Sequence, residues 1–217
     1  MRISLPYLFE VVYFPTAPFL CLDATLLIQH YEQRNTYDHA FCQRCLREHS
    51  RTLRLAEAYL KKRATNVKEV KIDTLNLLPF NNERLAAREA DIAALDFDKP
   101  AYDMARDFMN ADDIVIAAPL WDCSYPSMLK IYFEHLFVRD LLFRYDMGIP
   151  HGLCKAKRLT YITTAGGPVF EGNSLEQNLR EMMALFGIEE LQFIKADNLD
   201  VYVDEVDAML EKVIATF

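Results

Sequence analysis

At 217 residues and 52% hydrophobic content the chain can bury one full core with at most a small appendage, which argues against a second large domain. Its formal net charge of −8 opposes general binding to nucleic acid or anionic lipid, since both would repel it at long range, and leaves a small molecule as the favoured partner. Five scattered cysteines, an odd number, fit a reducing compartment better than a disulfide framework, so a cytoplasmic location is expected.

The N-terminal segment, residues 1–44, is atypical. Its apolar stretch from Tyr7 to Ile28 is broken by Glu10, Pro15, Pro18 and Asp23, which leaves no run of about 18 apolar residues for a membrane helix. The same interruptions, with no small-residue cleavage site at the right distance, argue against a signal peptide. Tyr7–Phe14 could form a strand, yet no short Gly- or Ser-bearing turn follows it. From Arg44 the pattern becomes legible. Leu53, Ala56, Leu60 and Ala64 recur at helical spacing, Ser50 suits an N-cap, and Lys61, Lys62 and Arg63 fall in the last turn, where cations complement the helix dipole. Arg44, Arg47, Arg51 and Arg54 cluster near the hydroxyls of Ser50 and Thr52. Free amides, hydroxyls and arginine at a helix start make a phosphate site, although the same residues serve equally as an ordinary capped helix with solvated arginines.

Val67–Leu75 alternates well enough for a second strand, 76–98 reads as a polar, Ala-rich connection carrying little of the core, and Lys99–Asn110 reads as a second helix. Ile114–Ala118 is an unbroken apolar run, β-branched at its centre, as a strand covered on both faces should be. It stops at Pro119, a loop follows from Leu120 to Tyr125, and Pro126 suits the first turn of the next helix. That loop lies at the carboxyl end of a central parallel strand, where open α/β sheets bind ligands. The helix is expected to run from Pro126 to about Leu142 with Leu129, Tyr132, Phe133, Leu136 and Phe137 on one side. Such an aromatic surface invites a partner subunit; burial against the chain's own sheet is the alternative. Arg158–Thr164 is the next strand and ends in Ala165, Gly166, Gly167 and Pro168, where glycines let backbone amides approach a planar ligand. Ser174–Phe186 is a helix stopped at Gly187, Glu190–Ala196 the last strand and Val203–Phe217 a closing helix.

Other chemistry finds less support. Cys42 and Cys45 have CxxC spacing but no second pair and no thioredoxin-like surround. His30, His39, His49, His135 and His151 form no ligand spacing, and neither HExxH nor GxSxG occurs, so no metal site and no serine-elbow hydrolysis are expected.

The strand Ile114–Ala118, its Ala118-Pro119 end, the aromatic-bearing loop, and Pro126 with the helix behind it together resemble the flavin loop of the flavodoxin-like NAD(P)H oxidoreductases, the quinone reductases and azoreductases. Ser50-Arg51-Thr52 resembles the element that holds the FMN phosphate, and Thr164–Gly167 the loop bordering the pyrimidine side of the isoalloxazine. The resemblance runs from about Cys45 onward. It implies an α/β, flavodoxin-like, doubly wound five-stranded parallel sheet over 45–217, preceded by the atypical segment 1–44. It implies FMN held by Ser50, Arg51, Thr52, Pro119, Leu120, Trp121, Asp122, Cys123, Thr164, Ala165, Gly166 and Gly167, and a substrate slot shaped by Trp121, Tyr125 and Phe170. The family often has Asn or a longer side chain where Asp122 stands. NADH or NADPH would reduce the flavin and a quinone or similar small acceptor would reoxidise it, with no side chain required as acid or base. A homodimer in which each subunit helps cover the other's flavin is implied, with no nucleic-acid or membrane partner. The absence of GxGxxG disfavours an NAD-type Rossmann site beside this one. A non-catalytic flavodoxin-like electron carrier or partner-binding protein is the alternative, though it has little need of a substrate slot.

A flavodoxin-like domain needs a buried strand immediately before Ser50, where Asp38–Arg44 is polar instead. Codons for those seven residues, read one base later, can spell Ile-Met-Leu-Phe-Val-Asn-Ala, an apolar strand ending in a small polar turn that joins directly to Cys45. A single-base deletion near Arg44 is therefore expected, leaving the chain as written without a proper first strand and weak in FMN binding. The alternative is a genuine extension whose Tyr7–Phe14 segment supplies that strand.

Overall fold

In the computed structural model the described residues are 39–43, 49–64 and 66–217. The Tyr7–Phe14 alternative, Arg44, Arg47 and the second cysteine of the CxxC pair lie outside them. The apolar run before Pro119 forms β3 (Asp113–Ala117), and its side chains are buried on both faces. Period two divides them: Ile114 and Ile116 enter one core, Val115 and Ala117 the other. β3 pairs in parallel with β1 (His39–Gln43) on one side and β6 (Arg158–Thr164) on the other, β2 (Val67–Lys71) adds outside β1, and β7 (Glu190–Ala196) outside β6. The order β2-β1-β3-β6-β7 is that of a flavodoxin-like doubly wound sheet, in agreement with expectation.

The backbone of His39–Gln43 fills the first-strand position, pairing from His39 with both Val67 and Asp113. This corrects the expectation that the chain as written lacks a first strand. A parallel ladder is made by peptide groups, so a polar stretch can complete it.

Helices cover both faces. On one, α1 (Arg51–Arg63) and α6 (Val206–Ile214) bury Leu55, Ala56, Tyr59 and Leu210 against β3, β6 and β7. On the other lie α3 (Asp103–Asn110), α4 (Ser127–Leu136) and α5 (Ser174–Phe186). α2 (Asn82–Ala94), capped by Asn81, forms within the connection expected to carry little core and buries Ile92 alone among its residues.

Two expectations are corrected on this second face. Leu129, Tyr132, Phe133 and Leu136 of α4 are buried in the chain's own core, so the aromatic helix face is already covered. Their burial supplies roughly 6–12 kcal/mol of gross hydrophobic stabilisation before ordering costs. α4 also stops at Leu136 rather than near Leu142, because Phe137 leaves the helical region (ψ 65°) and Asp140 takes a left-handed φ of 64°. The chain then forms a two-stranded antiparallel ribbon, β4 (Phe143–Asp146) and β5 (Ile149–Gly152), turned through Met147 and Gly148 at φ 47° and 81°. Positive φ at both central residues is the type I′ hairpin geometry. No helix among the described residues is long and apolar enough to cross a membrane.

Candidate functional site

Three segments meet at the carboxyl ends of β3, β6 and β7 around one cavity of 420 Å³, within the range of small-molecule sites. The first is the start of α1. Ser50 is its N-cap, and Ser50 Oγ accepts from the Leu53 amide at 3.2 Å. The first turn carries no acidic residue, so its positive dipole end is not neutralised by a carboxylate of its own helix. Thr52, 1% exposed, points inward and shares a hydrogen bond of 2.6 Å with Thr164 Oγ1, which ties α1 to the end of β6.

The second segment is Pro119–Trp121. The Ala118 amide donates to Ile162 O at 3.1 Å and the Leu120 amide to Thr164 O at 3.0 Å, so pairing continues past β3 and fixes the loop. Trp121 and Ser124 exchange two backbone hydrogen bonds of 2.8 Å around Asp122 and Cys123, whose φ of 49° and 62° make another type I′ turn. The third segment is Thr164–Gly166, held from the β7 side by Ala165 N–H to Ala196 O, 3.0 Å, and Leu199 N–H to Ala165 O, 3.1 Å.

Of the residues expected to hold a cofactor, Ser50, Arg51, Thr52, Pro119, Leu120, Trp121, Thr164, Ala165 and Gly166 line this cavity. Asp122 and Cys123 stand apart at the exposed turn tip, and Gly167 lies outside the lining. A Cβ on Gly167 would meet nothing within 4 Å, whereas one on Gly166 would come within 2.2 Å of Asp200 Oδ2, so a side chain at 166 would displace the exposed Asp200 carboxylate. Tyr125, expected beside Trp121, is instead buried against Phe133 with ring centroids 5.1 Å apart, and its hydroxyl donates to Asn178 Oδ1 at 2.7 Å. Burial, with a smaller contribution from Glu134, raises its phenol pKa. Tyr125 thus borders a separate cavity of 230 Å³ between α4 and α5. Phe170 projects from the loop before α5, 74% exposed. Arg54 turns away from the cavity mouth to pair with Asp207 and Glu211 of α6.

His49, Leu199 and Asp200 also line the cavity and were not expected there. Asp200 Oδ1 accepts from Arg51 Nη1 at 2.9 Å. Its position just beyond the last strand's carboxyl end is the signal that could have found it, because that edge of the sheet carries the ligand loops.

Chemically, the cavity joins an anion-favouring helix start to a slot walled by Leu120 and Trp121 and closed by strand-end backbone. Comparison with known proteins agrees with this architecture. The family described as having a flavodoxin-like fold matches residues 45–217. An FMN-dependent NADH:quinone oxidoreductase of Clostridium beijerinckii is 31% identical over 173 residues, which are 76% of this chain and 87% of that protein. Among solved structures, an azoreductase from Bacillus anthracis superposes with a TM-score of 0.70 at 20% identity, over 82% of this chain and 95% of that one. An FMN-dependent NADH-azoreductase of the same species, solved in complex with FMN, gives a TM-score of 0.68 at 18% identity, over 82% and 96%.

Proposed function

The chain belongs to the flavodoxin-like fold family, and we propose that it is an FMN-dependent NAD(P)H oxidoreductase that reduces quinones or related acceptors, azo compounds among them. The observation that carries this reading is the single cavity shared by the start of α1 and the loops after β3 and β6. Its residues fit FMN in kind. A phosphate suits the α1 amides, the Ser50 hydroxyl and Arg51. A planar ring suits the slot between Pro119–Trp121 and Thr164–Gly166, where Gly166 brings backbone close.

FMN held by these residues would supply the redox chemistry, hydride transfer from the nicotinamide and reduction of the acceptor. The chain's own residues place and polarise. The amides near Gly166 present dipoles that favour negative charge at the ring edge. Trp121, on the open side, shapes the place where nicotinamide and acceptor stack in turn, with exposed Phe170 available at the rim. No side chain of the cavity is needed as an acid or base.

Residues 45–217 are the FMN-binding domain in this reading, with 1–44 the atypical segment, and the cysteine content supports a cytoplasmic location. Homodimerisation belongs to the same proposal. With the α4 face buried, it rests on the exposed apolar residues at the cavity rim and on the ribbon: Trp121, Phe170, Tyr145, Met147 and Ile149. Sedimentation at micromolar concentration should give twice the chain mass; a fully active monomer would remove the dimer.

The enzyme reading is tested by absorption spectroscopy of the flavin-loaded protein without oxygen. NADH or NADPH should bleach the flavin band and a benzoquinone should restore it. Bound flavin that neither nicotinamide reduces would mark an electron carrier or partner-binding protein instead.

A further inference from the structure

Asp200 places a fixed negative charge where the site otherwise favours anions. Its carboxylate spans the two halves of the cavity, accepting from Arg51 on the α1 side and lying over Gly166 on the β6 side, where the missing Cβ makes room for it. The loop that carries it is fixed by its backbone. Asn198, Leu199 and Asp200 donate to the carbonyls of Gly167, Ala165 and Gly166 at 3.0, 3.1 and 3.0 Å, so the loop after β7 is laced to the glycine loop. Asn198 makes the bend with a left-handed φ of 60°, which Asn tolerates. The ion pair itself is open to water, with the Arg51 and Asp200 side chains 40% and 72% exposed. Pairs of that kind are weak enough to be exchanged for a ligand's anion and strong enough to be felt by it.

We infer that Asp200 is a resident anion that competes with a ligand's phosphate for Arg51 and so tempers the affinity of this site for phosphate-bearing ligands. It holds Arg51 when no phosphate is present, and it opposes any ligand whose only hold is negative charge. The inference rests on the flavin reading. A phosphate reaching the start of α1 must take Arg51 from Asp200 or share it, and in either case it meets the charge of a carboxylate carried on a fixed loop. Inorganic phosphate has nothing with which to offset that repulsion. A phosphate carried on a planar ring meets the same repulsion but adds the contact of the ring with Leu120 and Trp121, so an aromatic monophosphate is still held where a small anion is not.

The test is the affinity of the full chain for FMN and riboflavin by flavin fluorescence, with inorganic phosphate as competitor, for the wild type, Asp200→Asn and Asp200→Ser. Both variants should bind FMN about two- to fivefold more tightly, bind riboflavin unchanged, and show an inhibition constant for inorganic phosphate lowered by a similar factor. The gain should shrink at high salt and in an Arg51→Gln background, which a merely structural role would not produce. Weaker FMN binding, or equal shifts for FMN and riboflavin, would overturn the inference and make Asp200 a support for the ring or ribityl chain. Failure of every form to bind either flavin would overturn the flavin reading itself, and this inference with it.

Discussion

Ser50 and Thr52 are two positions apart, and their hydroxyls do different things. Ser50 Oγ sits at the helix start, capping the Leu53 amide, while Thr52 Oγ1 is spent inside the protein on Thr164. Ser50→Ala should therefore weaken FMN binding more than riboflavin binding, since only FMN carries the phosphate, and should also lower stability by about 1 kcal/mol through the lost cap. Thr52→Val keeps the volume but deprives buried Thr164 of its partner. It should lower stability by about 1–3 kcal/mol and weaken both flavins alike. Paired ligand titrations and thermal melts separate the two; an FMN-selective loss in Thr52→Val would return that hydroxyl to the phosphate. The spacing Ser-Arg-Thr marked the right helix start but could not assign these roles, because the partner of Thr52 lies 112 positions away. Gly166 and Gly167 show the same limit. Adjacent glycines read alike in sequence, and only the tertiary approach of the Asp200 side chain distinguishes them.

At the scale of elements, a carboxylate ties the end of α2 to the turn that follows it. Asp91 near its end pairs with Lys99 and accepts from Tyr102 Oη at 3.0 Å. The hydrogen bond from Lys99, the largest influence, holds the Asp91 pKa below its ordinary value. Burial and the same carboxylate push the Tyr102 phenol up to about 12. A carboxyl whose pKa is depressed on folding contributes stability above its unfolded pKa of about 4 and loses it as pH falls through the folded value. Asp91→Asn should thus lower the urea midpoint at pH 7 and make little difference near pH 2; an equal loss at both pH values would mean that packing, not charge, is responsible. Elements with an uninterrupted pattern, such as β3, β6 and α5, were legible because burial on a strand or helix face imposes a period. The end of α4 was not. Phe137, Val138, Leu141 and Leu142 continue apolar spacing past Leu136, and the break comes from a backbone turn at Asp140 that no Gly or Pro announces. The β4–β5 ribbon was hidden likewise, its turn beginning with Met147 rather than Asn or Asp.

At the scale of the whole molecule, the sheet asks most of β1, which lies between β2 and β3 in a doubly wound sheet. Such inner strands are normally continuous apolar runs, as β3 is, because helices cover both faces. Yet the chain there reads Asp38-His39-Ala40-Phe41-Cys42-Gln43-Arg44. Ladder pairing is complete on both sides of His39–Gln43, so the backbone alone does not prefer another sequence. The polar composition is what departs from that rule, since in general a polar group buried without a partner costs about 1–3 kcal/mol on mutational scales. We propose that the strand is encoded in the neighbouring frame, where the same bases can spell Ile-Met-Leu-Phe-Val-Asn-Ala up to Cys45. The start of the family match at residue 45 supports this, because similarity resumes where the two frames rejoin. Inserting the single base that restores the frame near Arg44 should raise the melting temperature, at about 2–4 °C per kcal/mol for a chain of this size. It should also tighten FMN binding, since β1 leads directly into the start of α1. Resequencing provides the stricter check: if the nucleotides of codons 38–45 cannot encode an apolar strand in any frame, or if the frame-restored chain melts no higher than the original, the polar strand is native and the proposal falls.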